Sequence, residues 1–345
     1  MIISDDIGSF PVIGIEKSEL DEIGFKIISK SAIPTDIEKF NKTVSEIMEL
    51  KISSGIMRPN YPQIREMVLQ FFRPIDSFYK EPWIISKNRA IIPELSAIDE
   101  TAKKYYEENK KPIELRVCIT GPLEIYFKNV GPQVQKDIIL NIAKSLSLFV
   151  ENSILNKSYI KTKTISIDEP SLGLIPNLVM DEEDLIEAFD IACRAAKKLD
   201  VQIHLHSATS TNLIYNTKYI KIIGVESAEN PKNLKNFEKS ELESYDRFIR
   251  VGIARTNING IASDYKSNTG IDVFQNKDKM DEMIDSTESV RIIKKRLENA
   301  YKMFRDSISY TGPDCGLGSW PSQEIAKKLL INISKAVSEF NRDKI

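Results

Sequence analysis

Histidine is almost missing from this chain: 345 residues hold two, His204 and His206. Any imidazole chemistry therefore rests on that pair. Cysteine is scarce too, with Cys118, Cys193 and Cys315 widely scattered and odd in number, which excludes a disulfide framework and leaves each as a thiol. The net charge of −2 lacks the basic excess of a nucleic-acid footprint, so no nucleic-acid partner is expected. No apolar run reaches the roughly 18 residues of a membrane span. The N-terminus, Met1-Ile-Ile-Ser-Asp-Asp6, has neither the basic head nor the small-residue cleavage site of a signal peptide. These absences predict a soluble cytoplasmic protein with no membrane partner. No Gly/Ser-rich linker, low-complexity tract or internal repeat interrupts the chain.

What is present is a repeated alternation of strand-like and helix-like runs, with 41% hydrophobic residues to build a large core. Strands are predicted near 1–7, 52–57, 113–120, 162–168, 201–206, 220–226, 248–254 and 307–312. Thr35 is placed to cap a helix over 36–51, Asp181 opens one over 182–199, and apolar residues recur at three-to-four spacing through 133–156 and 288–305. Eight strands alternating with helices predict an α/β fold, a (β/α)8 TIM barrel, forming one catalytic domain over 1–345. An N-terminal extension covers about 10–34. An insertion after strand two covers about 59–112, with a short hairpin and a helix over 94–109.

In such a barrel the chemistry sits at the C-terminal strand ends. In Val201-Gln-Ile-His-Leu-His206 the two histidines share one strand face with Gln202, the spacing at which two imidazoles occupy adjacent vertices of a Zn²⁺ tetrahedron. Gly8 and Ser9 follow strand one, Asp168 and Glu169 end strand four, and Glu226 ends strand six. Cys315 stands in the turn-rich Gly312-Pro-Asp-Cys-Gly-Leu-Gly318 after strand eight. Taken singly, the histidines read equally well as core or surface residues, Glu226 as a rim carboxylate paired with a base, and Asp168 as a helix cap. Together, His204, His206, Glu226 and Cys315 form an N₂OS set whose thiolate favours zinc over magnesium or calcium.

The ordered motifs Ile7-Gly-Ser-Phe-Pro11, Thr120-Gly-Pro122, Ile167-Asp-Glu-Pro170, His204-x-His206, Val225-Glu-Ser227 and Pro313-Asp-Cys-Gly-Leu317 span nearly the whole chain. In them the sequence resembles the C-terminal catalytic barrel of cobalamin-independent methionine synthase and its single-barrel archaeal-type relatives, within the group that contains uroporphyrinogen decarboxylase. The resemblance implies zinc held by His204, His206, Glu226 and Cys315, and an amino-acid substrate held by Ile7, Gly8, Ser9 and Asp168. Three positions depart from the pattern. His206 stands where the family usually has cysteine, so the ligand set carries one negative charge fewer. The family's glutamate after strand two falls at Ile56, and its catalytic histidine after strand seven at Asn257.

The family's folate-using enzymes carry a further barrel, a tryptophan shortly after the Gly-Pro pair and a pterin-binding glutamate. This chain shows one barrel, reads Gly121-Pro-Leu-Glu-Ile-Tyr-Phe127, and has Leu174 at the glutamate's place. The resemblance thus implies a zinc-dependent methyltransferase that activates a thiol, homocysteine first, to give methionine. Methylcobalamin or a methyl-corrinoid protein is the expected donor, rather than methyltetrahydrofolate. The alternatives are a paralogue with another thiol or donor, a metal-dependent hydrolase, and a partner subunit without activity. The hydrolase would need further histidines than this chain has.

Overall fold

The fold, described here by a computed structural model for residues 1–175 and 178–344, follows the alternation of the sequence. It opens with β1 (Ile3–Ser4), α1 (Lys17–Ser29), α2 (Pro34–Ser53) and α3 (Leu69–Ser77). A small hairpin, β2 (Tyr79–Glu81) and β3 (Ile84–Ile85), precedes α4 (Pro93–Ala97) and α5 (Asp99–Asn109). Next come β4 (Ile113–Thr120), α6 (Pro122–Asn129), α7 (Lys136–Asn152), β5 (Ile160–Asp168) and α8 (Glu182–Cys193). They are followed by β6 (Asp200–Leu205), α9 (Thr211–Tyr215), β7 (Ile222–Val225), α10 (Lys239–Ser244) and β8 (Phe248–Ala254). The chain continues through α11 (Ile258–Thr269), α12 (Met280–Thr287), α13 (Val290–Phe304), β9 (Ile308–Pro313) and α14 (Gln323–Asp343).

Seven strands form one curled parallel sheet in the order β1-β9-β8-β7-β6-β5-β4. The gap between β4 and β1 is where the sequence placed strand two at 52–57. Instead, α2 runs on to Ser53, and the gap is spanned by residues 58–61 without a regular ladder. Bridges pair Asp5 with Arg58 and Asn60 with Arg116, and the Asn60 side chain replaces the missing rungs by accepting from Cys118 N and donating to Gly8 O. Pro59 and Pro62 explain the irregularity, since neither can donate to a ladder. The extension and the hairpin-bearing insertion pack outside this junction.

Two helix starts differ from expectation. Helix α2 begins at Pro34 with no side-chain cap, because Pro at the first position needs no N–H partner and makes a Thr35 cap unnecessary. The helix expected over 94–109 is broken at Ile98 into α4 and α5. Asp181 does cap α8, accepting from Glu183 N.

Apolar side chains such as Ile165, Ile203, Ile223 and Val251 are buried in a core shared by the sheet and its surrounding helices. The opposite strand face holds a buried polar layer. Asp5 accepts from Arg116 and from Arg250 Nε (2.7 Å), Arg116 also donates to Gln202 (2.8 Å) and Ser166 (2.8 Å), and Ser166 in turn donates to Asp168 (2.7 Å). This layer lies beneath the strand ends and fixes the height of Asp168. No helix among the described residues is long and apolar enough to cross a membrane.

Candidate metal centre

His204 lies opposite Gly224 in the parallel β6–β7 ladder, two residues below the level of Glu226. The period-two strand therefore brings His204 and His206 to the mouth on the face shared with Gln202. Cys315 arrives from the other side, through a loop zipped to the turn after β1. Leu317 N donates to Ser9 O (2.7 Å) and Gly318 N to Ser9 Oγ (3.1 Å). The approach is so close that a Cβ on Gly316 would lie 2.7 Å from Ser9 N, and one on Gly318 2.3 Å from Ser9 Oγ. Gly8, at φ +62°, makes the turn that brings Ser9 there.

The four expected ligands converge, with one donor atom from each lying within 4.8 Å of the others. His206 Nε2 stands 3.3 Å from Glu226 Oε1 and 3.6 Å from Cys315 Sγ. A tetrahedral zinc with ordinary bond lengths places its ligand atoms about 3.3–3.8 Å apart. Both ring nitrogens of His204, a residue only 2% exposed, are buried without a hydrogen-bond partner. Buried polar atoms are rarely left so, and a cation is what a neutral imidazole nitrogen can satisfy here. Burial holds both imidazoles below their ordinary pKa, His204 well below, so both stay neutral at pH 7. Burial also pushes the Cys315 thiol up to about 12, and burial together with Asp314 raises Glu226 to about 7. The residues fit a divalent, thiophilic cation: two neutral imidazoles, a carboxyl group and a thiol make up a zinc donor set.

Beside the cluster lies a cavity of about 470 Å³ lined by Ile7, Gly8, Ser9, Asp168, Pro170, His204, His206 and Cys315, as expected, but also by Gln63, Arg65, Glu66 and Met67. This corrects the reading of the second strand. Ile56 is buried at the opposite end of the 58–61 segment, and Gln63 is the residue that emerges at the mouth. Gln63 is 3% exposed, and its side chain forms part of the cavity wall. Arg65 is committed to a bidentate pair with Glu94 (2.7 and 2.9 Å), and Glu66 accepts from Val68 N and Leu69 N.

Asn257 is likewise not part of the cavity. It is exposed and caps α11, accepting from Gly260 N (3.1 Å). The cap role considered for Asp168 belongs to its neighbour. Glu169 accepts from Leu123 N and Glu124 N at the start of α6, and a Cβ on Gly121 would lie 2.1 Å from it. Asp168 has one oxygen bonded to Ser166 Oγ, and burial raises its carboxyl to about 6.

Asp314, one residue before Cys315, is 1% exposed. Its carboxylate accepts from Ser227 N, Ala228 N and Glu229 N (2.7–2.9 Å), tying the loop after Glu226 to the residue before Cys315. Gly252 leaves room for it, since a Cβ there would meet Asp314 Oδ1 at 1.9 Å. A larger groove of about 680 Å³ along α8, lined by Glu182, Glu187, Asp190 and Lys218, has no comparable convergence of donors.

Fold and cluster together define a parallel β/α barrel with a cluster of two histidines, a carboxyl and a thiol at its C-terminal mouth. No family model matches the chain. Its sequence is 25% identical over 321 residues to methionine synthase of Sulfolobus acidocaldarius, covering 86% of this chain and 81% of that protein. Its fold matches B12-independent methionine synthase from Shewanella sp. W3-18-1, at a TM-score of 0.62 and 12% identity over 99% of this chain and 98% of that one. It also matches the Listeria monocytogenes protein described as a putative vitamin-B12-independent methionine synthase, at 0.56 and 13% over 98% and 99%. A methyltransferase from Methanosarcina mazei aligns at 0.52 and 11% over 99% and 95%. The chain is similar in sequence to methionine synthase over most of its length, and its fold is that of the B12-independent enzymes.

Proposed function

We propose that this protein is a zinc-dependent methyltransferase that transfers a methyl group to a thiol, with homocysteine the first acceptor and methionine the product. The observation that carries the reading is the convergence of His204, His206, Glu226 and Cys315 around a buried imidazole that has no other partner. Zinc held there supplies the Lewis acidity that lets a substrate thiol ionise near neutral pH. The protein's own residues do the positioning. Asp168 turns its second oxygen to a substrate ammonium, and the Gly8–Ser9 turn and the Gln63 amide hold the remainder of the amino-acid end. Pro170 and Met67 wall the cavity and limit water around the reacting sulfur.

Gln63 favours a second acceptor class. A neutral amide reads a carboxylate or an uncharged group as readily as an ammonium, so a thiol without an α-amino group also suits the cavity. For the donor, the residues after Gly121 argue against a pterin platform: 122–126 are buried in α6, with Tyr126 OH donating to Gln133 O, and Leu174 is 54% exposed. That favours a methylcorrinoid. The description of the structural relatives as B12-independent gives a corrinoid no support, so the donor is the point to test first.

The experiment offers the zinc-loaded protein methylcobalamin or methyltetrahydrofolate with homocysteine and a panel of thiols, and identifies the methylated product. The reading expects about one zinc per chain, methionine formation from methylcobalamin, and loss of activity on chelation. Efficient folate-dependent turnover would overturn the donor assignment. A metal-free protein with full activity would overturn the zinc.

A further inference from the structure

The β6–β7 ladder runs out just where the ligands begin. Its residue pairs end at Leu205 and Val225, and the next backbone bond, Glu226 N to Leu205 O, is 3.4 Å long. No main-chain rung holds His206 against Glu226 beyond that point. The side chain of Asn233, from the turn 231–236 after β7, takes the place of that rung. Its amide nitrogen donates one hydrogen to His206 O (2.9 Å) and the other to Glu226 O (2.8 Å). Asn233 is 5% exposed, so water does not compete for these bonds. An NH₂ group has two donors at a fixed angle, and with both used on neighbouring loops the spacing of the two carbonyls is set by covalent geometry. The side chains above them, 3.3 Å apart, are spaced with them.

We infer that Asn233 is a positioning residue that sets the metal affinity of the site by clamping His206 to Glu226. The inference rests on the metal reading proposed above. Groups that orient ligands without touching the metal change affinity by about 10- to 100-fold when removed. The same loop is held from its other side by Asp314, so loss of Asn233 loosens two ligands while the third anchor keeps the chain folded.

The test uses Asn233→Asp, which keeps the size and removes both donors, and Asn233→Ala, which removes the group without adding charge. Zinc affinity is measured by chelator competition, the visible spectrum is recorded on the cobalt(II)-substituted protein, and unfolding is followed with and without metal. The expected result is one zinc on the parent protein, about 10- to 100-fold weaker binding in both variants, an altered cobalt spectrum, and little change in metal-free unfolding. Affinity within twofold of the parent overturns the inference. So does a loss of metal-free stability as large as the metal-loaded loss with an unchanged cobalt spectrum, because that is purely structural support. A parent protein that binds no metal overturns the zinc reading and the inference with it.

Discussion

Two polar layers lie one above the other inside this barrel, and they are finished differently. In the lower one, Asp5, Arg116, Arg250, Gln202 and Ser166 are buried and bonded to one another, with only Arg250 Nη1 left without a partner. In the upper one, His204 has both nitrogens buried and unpaired, and His206, Glu226 and Cys315 face one another with no lysine or arginine paired to them among the described residues. A buried polar group that serves the fold arrives with its partner, because leaving it bare costs about 1–3 kcal/mol. A buried polar group that serves a ligand is left bare by the fold, and the rest of the structure carries that cost.

The most severe way to break this contrast is His204→Leu. It should remove nearly all the zinc and nearly all turnover, yet leave metal-free stability unchanged or about 1 kcal/mol higher, since it deletes unsatisfied nitrogens. Metal analysis and denaturant unfolding on the same sample check both halves. A large fall in metal-free stability would place His204 among the structural groups.

Asp5→Asn strikes the lower layer. Two buried guanidiniums lose their shared countercharge, and stability should fall by about 3–5 kcal/mol, a large share of a typical domain's total. At a temperature where the variant is still folded, its zinc stoichiometry should remain that of the parent. A loss of zinc from the folded fraction would show that the two layers are coupled.

Gln63→Ala should act on binding alone, raising KM for the thiol about tenfold or somewhat more and leaving kcat within a few-fold, because the amide touches no reacting atom. Steady-state kinetics with several thiols would also show which acceptor group the amide reads. The smallest effect is expected for Asn257→Ala, about 1 kcal/mol of stability from a lost helix cap, with kinetics and zinc content unchanged. A thousandfold fall in kcat would return Asn257 to the reaction.

The four-residue cluster was legible in the sequence because each member sits at or just after a strand end, where the period of two and the barrel topology dictate which way a side chain points. His204, His206, Glu226 and Cys315 come together as their motifs implied. The second strand was not legible. Residues 52–55 carry no helix-breaking residue before Gly55, and the true connection at 58–61 is held by the Asn60 side chain rather than by a ladder, which leaves no alternating pattern to read. That single misplacement put Ile56 at a strand end, whereas the residue of this region that lines the cavity is Gln63. Asn257 was placed by its position after strand seven, and in the fold it stands immediately before Ile258, the first residue of α11, as that helix's cap.

By itself, then, the sequence determined the alternation of strands and helices, the order of the barrel and the identity of the atoms that converge at its mouth, because these follow from local periodicity and from chain order. Tertiary structure alone decided which polar groups were left without partners. Asn233 and Asp314 look like ordinary loop residues until their bonds to His206, Glu226 and the loop after β7 are seen. Gln63 looks like any surface amide until it is found buried in the wall of the cavity beside the cluster. Hydrogen bonding between residues far apart in the chain leaves no periodic trace along it, so whether a buried polar group is satisfied is fixed only when the strands and loops have closed around it.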